Sequence, residues 1–101
     1  MTNVDIIREC VPENEQLAQL AEEAMELGHA ALKMRRVLSG VNPTPVKLDE
    51  ALASFREEIA DVLLCLRVLG YEEPTGAIKE IMQTKTDRWA TRLREKWEVA
   101  V

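Results

Sequence analysis

Four carboxylates stand in two matched pairs. Glu23 and Glu26 fall within EEAMEL, residues 22–27, and Glu58 and Asp61 within EEIADV, residues 57–62. In a helix a spacing of three places both side chains of a pair on one face, a turn apart. Both pairs lie in apolar segments, where an unpaired charge is costly to bury. If the two helices run antiparallel the pairs face each other, and like charges at about 4 Å repel by about 4 kcal/mol at an effective dielectric of about 20. A cation would offset that repulsion. Oxygen-only donors of this charge density suit a hard divalent ion, Mg²⁺ or Mn²⁺, which keeps several waters and is completed by substrate phosphates. The chemistry indicated is phosphoryl or nucleotidyl transfer to water. Glu22 and Glu57, the leading acids of the two clusters, sit about 100° round the helix from their neighbours and are read as solvent-facing or outer carboxylates.

These residues need two long helices to present them. Leu17, Leu20, Ala21, Ala24, Leu27, Ala31 and Leu32 recur at three- and four-residue spacing, which predicts a helix over 13–38. Pro12 suits its start, and Gly40, just after the basic run Lys33, Arg35 and Arg36, suits its stop. Gly28 is costly inside a helix by about 1 kcal/mol, so close packing or ligand approach would favour it there. The stretch SGVNPTPV, residues 39–46, is a loop, with Thr44 and Pro45 as N-cap and first-turn residues of a helix running to Leu69 before Gly70. IADVLLCLRVL within it is apolar nearly all round and should be central in its bundle. A short helix over 4–10 precedes these two. A last one over 76–97 carries Ile78, Ile81, Met82, Trp89 and Leu93 on one stripe. The expected architecture is all-α: one domain over 1–101, a four-helix-type antiparallel bundle completed by homo-oligomerisation, because so short a chain buries only part of its apolar surface.

The formal charge of −5 over 101 residues argues against general nucleic-acid binding. Its distribution is uneven: residues 1–30 hold seven acids against Arg8 alone, and residues 78–98 six Lys or Arg against four acids. A cation site facing a basic strip fits that asymmetry. Cys10 and Cys65 have neither CxxC spacing nor a histidine cluster, so reduced thiols are expected rather than disulfides or zinc. No signal peptide or membrane-spanning run is apparent, and the expected location is cytoplasmic.

Two other classes compete with a hydrolase. Glu26 and His29 form an ExxH spacing, as in ferritin-like di-iron carboxylate bundles, but that site needs two copies and the chain has one histidine. Dimerisation would have to supply the second, and a solvent-facing or pocket-lining His29 is the plainer reading. ExxE is also common on solvated helix faces, so the chain could be a helical oligomeric binding or adaptor module with its carboxylates scattered in space. Cys65 reads as a small core residue bordering the acids. Trp89 reads as core or interface packing, with stacking on a base as the functional alternative. Gln16 and Gln19, one to two turns before Glu23, could read a base edge or solvate the helix.

EEAMEL followed by EEIADV resembles the EExxE…EExxD signature of MazG-like, all-α nucleoside triphosphate pyrophosphohydrolases. The likeness runs from QLAQLAEEAMELGHAALK through EEIADVLLCLRVL to IKEIMQTKTDRWATRL, about residues 14–95, with a long intervening loop as its departure. The resemblance implies Mg²⁺-dependent cleavage between the α- and β-phosphates, giving nucleoside monophosphate and pyrophosphate. It implies Glu23, Glu26, Glu58 and Asp61 as catalytic metal ligands, with one of them or Glu22 orienting the attacking water. It also implies Lys85 and Arg88, in KTDR, as residues gripping the phosphate tail, and a dimer or tetramer as the working form. Arg offers bidentate donors to phosphate and Lys a mobile point charge. An exposed, salt-bridged helix end is the plainer reading of those two residues.

Overall fold

The structure, a computed structural model, describes residues 1–97. Its regular elements are four helices: α1 (Asn3–Cys10), α2 (Glu13–Ser39), α3 (Leu48–Val68) and α4 (Gly76–Trp97). The all-α expectation holds among the described residues. No helix there is long and apolar enough to cross a membrane.

Local chemistry accounts for the boundaries. Thr2 caps α1 in a reciprocal box with Asp5: the Asp5 N–H donates to Thr2 Oγ1 at 3.1 Å and the Thr2 N–H to Asp5 Oδ2 at 2.9 Å. Pro12 occupies the N-cap of α2, and Gly40 ends that helix at φ 65°, in the left-handed region that suits a residue without Cβ. After α3, the Tyr71 N–H reaches back to Leu66 O at 2.8 Å and the Gly70 N–H to Arg67 O at 3.0 Å. This is a Schellman closure, with Gly70 at φ 95°.

The start of α3 corrects the expectation at Thr44 and Pro45. The helix begins at Leu48 with Lys47 as a cap that makes no side-chain hydrogen bond. Starting there puts Asp49 and Glu50 in the first turn, where their charges complement the helix dipole. Thr44 and Val46 are left half-buried in the incoming loop.

Packing centres on α2 against α3, with α1 laid on α3. The start of α2 meets the end of α3, since Gln16 shares a cavity with Val68, whereas Lys33 shares one with Ala51. The pair is therefore antiparallel. Arg8 fastens α1 to the C-terminus of α3: its Nε donates to Val68 O at 2.9 Å and its Nη2 to Arg67 O at 2.7 Å. Val68 O is a carbonyl that the helix end leaves without an intrahelical partner, and Arg67 O, which already accepts the Gly70 N–H, gains a second donor.

The single chain does not close its bundle. Ala51 and Val68 are its only buried apolar residues among those described, and Leu63 and Leu64 of α3 stay open to solvent. A Cβ on Gly28 would meet nothing within 4 Å, so packing inside the chain does not explain that glycine. α4 makes no extended packing against the other helices. The radius of gyration is accordingly 17.9 Å, against about 13 Å for a compact chain of this length.

Candidate metal centre

Antiparallel pairing of α2 and α3 brings the four acids to one place. One carboxylate oxygen from each of Glu23, Glu26, Glu58 and Asp61 lies within 4.8 Å of the others. Glu26 is exposed and the other three are half-buried. An octahedral Mg²⁺ with bonds of about 2.1 Å spans about 4.2 Å between opposite ligands, so small rotamer adjustments would close the set on one ion. Glu23 Oε2 and Glu58 Oε2 are shut from solvent without any hydrogen-bond partner. Buried anionic oxygens in that condition call for a cation or a proton. The residues present therefore fit a hard divalent metal.

The field around Glu23 points the same way. Burial of its carboxyl, followed by the negative charges of Glu26 and Asp61, raises its pKa above the ordinary 4.5. The folded chain thus binds this proton more tightly than the unfolded chain does. The stabilising contribution is fully present below pH 4.5 and is lost as pH rises through the raised pKa. At neutral pH the apo protein should carry unrelieved repulsion, and Mg²⁺ should raise its melting temperature by binding the folded form alone. Glu58→Gln should abolish that rise while helicity, read by circular dichroism, stays unchanged. An equal Mg²⁺ response in the variant would place the ion elsewhere.

The flanking groups divide along the helix axis. Gln19 Nε2 donates to Glu23 Oε1 at 2.9 Å, and Gln16 Nε2 donates to Val11 O at 2.7 Å. Both amides, with Leu64 and Cys65, line a cavity of about 360 Å³ at the α1 end of the groove. Cys65 is half-buried, and its thiol pKa is pushed above 9.0 by burial, then by Glu23 and Asp61. That makes it a neutral lining group rather than a nucleophile. His29 is exposed and outside the four-carboxylate set, lining instead a cavity of about 280 Å³ with Glu26 and Glu58. Glu22 and Glu57 are exposed and also outside the set.

Lys85 and Arg88 are not brought to the carboxylates within one chain. With Trp89 and Arg92 they line a surface cavity of about 350 Å³ formed by α4 alone. Trp89 is 69% exposed, so no core of this chain holds it. Neither Lys33, which reads in the sequence as part of a helix stop, nor Ser54 is among the expected site residues. The signal was present: Lys33 lies seven residues after Glu26, and Ser54 four before Glu58, each on the same helical face as the acid. Against family models, curated proteins and solved structures, the chain has no match.

Proposed function

We propose that the chain is a Mg²⁺-dependent nucleoside triphosphate pyrophosphohydrolase, with Mn²⁺ as the alternative ion, yielding a nucleoside monophosphate and pyrophosphate. The observation that carries the reading is the convergence of Glu23, Glu26, Glu58 and Asp61 from two antiparallel helices. A scattered surface pattern, as an adaptor module would have, does not predict it. A ferritin-like centre would need histidine in the cluster, and His29 lies outside it.

In this reading the four carboxylates hold the ion. When bound, it supplies neutralisation of phosphate charge and a water of lowered pKa. A carboxylate oxygen left uncoordinated takes the proton of the attacking water. The new bond joins that water's oxygen to the α-phosphorus, and the bond from the α-phosphorus to the bridging oxygen breaks, releasing pyrophosphate. The exposed positions of Glu22 and Glu57 favour the cluster itself as proton acceptor. Lys85 and Arg88 serve the phosphate tail only if α4 of another copy lies over the groove, so the proposed working unit is a homo-oligomer, a dimer or tetramer.

Hydrolysis of a panel of nucleoside triphosphates in ¹⁸O-labelled water tests the reaction. Label is expected in the monophosphate, with equimolar pyrophosphate. Label in pyrophosphate alone would mean attack at the β-phosphorus, and release of orthophosphate alone would reject the reaction.

A further inference from the structure

The carboxylate groove has two unlike ends. Toward α1 lies the cavity walled by Ile7, Val11, Leu64, Cys65 and Val68, with Glu15, Gln16 and Gln19 as its polar groups and Gln19 linking it to Glu23 by a hydrogen bond. Its volume, about 360 Å³, falls at the small end of sites that take small organic ligands. No lysine or arginine lines it. At the other end is the cavity of about 280 Å³ lined by Glu26, Glu58, His29, Lys33 and Ser54, with Ala30 and Ala51. This second space shares two of the four clustered carboxylates and adds a cation, an imidazole and a hydroxyl.

Lys33 stands apart from its basic neighbours. Arg35 and Arg36 do not line the cavity, and as part of the last turns of α2 they complement the helix dipole. Lys33 does line it and makes no ion pair among the described residues. At about 1.5 Å per residue it lies roughly 10 Å beyond Glu26 along the helix axis. A flexible four-carbon stem can reach back over part of that distance toward Glu26 and Glu58, which line the same cavity.

We infer that Lys33, with His29 and Ser54, forms an anion subsite for the β- and γ-phosphates, fixing the substrate's polarity in the groove. This rests on the pyrophosphohydrolase reading. The phosphate tail lies toward the α2 C-terminus and the loop that follows, and the nucleoside lies toward α1. The largely apolar end, without lysine or arginine, suits a base, and the end that sets Lys33 in one cavity with Glu26 and Glu58 suits a leaving pyrophosphate once a cation is bound. Only this orientation matches both ends. The subsite is built within one chain and does not depend on the distant Lys85 and Arg88.

The test is calorimetric titration of inorganic pyrophosphate into the full chain with Mg²⁺ present. Lys33→Met should weaken binding about tenfold, the worth of one charge-assisted contact, with unchanged helicity. Lys33→Arg should recover most of the affinity, which a loss of mere stem packing would not explain. Parental affinity in Lys33→Met overturns the subsite. If the parent still turns over a triphosphate in that case, the reaction stands and only the tail's position is reassigned. A parent that neither binds pyrophosphate nor hydrolyses any triphosphate overturns both.

Discussion

Asp61→Ala should lower turnover of a responsive nucleoside triphosphate by at least about a hundredfold, the scale seen when one preorganised electrostatic group is removed from a reacting centre. Asp61 is half-buried on α3 and contributes one of the four clustered oxygens. Its charge also raises the pKa of Glu23. Removing it should therefore relieve repulsion in the apo protein. The melting temperature without metal should stay level or rise, while the stabilisation by Mg²⁺ shrinks. This opposition of signs separates a metal ligand from a residue that merely supports the helix pair. Asp61→Asn keeps the shape and removes the charge, so it should behave alike. Parental turnover in either variant would take Asp61 out of the centre. Loss of turnover accompanied by loss of helicity would assign it a structural role instead.

The legibility of this site follows from how locally each feature is encoded. Helix periodicity and the glycines at 40 and 70 report on backbone geometry within a few residues, and α2 and the end of α3 lie where those signals put them. The carboxylate cluster needed one further step, the antiparallel pairing that the loop after Gly40 permits, and the i, i+3 spacing carried the rest. Thr44 and Pro45 are good helix-start residues in isolation, so the expected start of α3 falls there rather than at Leu48. The charges of Asp49 and Glu50 compete for the same first turn and place it three residues later. The role of Lys33 was hidden for a different reason. A lysine near a helix C-terminus has a sufficient local explanation, and only the cavity between two helices distinguishes it from Arg35 and Arg36. α4 spans Gly76–Trp97 as its pattern indicates, but the packing of that helix is not legible. Its stripe states that one face is apolar but carries no information on which surface covers it.

That uncovered stripe leads to the second large effect. Ile78, Ile81, Met82, Trp89 and Leu93 are all exposed on α4, and Leu17, Met25, Leu32, Leu63 and Leu64 are exposed on the helix pair. Fully burying one such side chain contributes about 1.5–3 kcal/mol, while ordering each residue's backbone costs about 1–2 kcal/mol. With Ala51 and Val68 the only buried apolar residues among those described, much of the available apolar burial is not realised within one chain. Association of copies through these faces would supply the missing burial, and the acidic first half of α2 complements the basic α4 in charge. The parent should accordingly sediment as a dimer or larger species at micromolar concentration, and its melting temperature should climb over a hundredfold rise in concentration. Ile81→Asp would place a charge within the stripe and should weaken assembly by more than about tenfold. Turnover should fall with assembly if Lys85 and Arg88 act across the interface, and dilution of the parent should reproduce that fall. A monodisperse 11.4 kDa species with a concentration-independent melting temperature would exclude the oligomer. It would also leave Lys85 and Arg88 without a route to the carboxylates, placing the whole electrostatic burden of the phosphate tail on Lys33 and the metal.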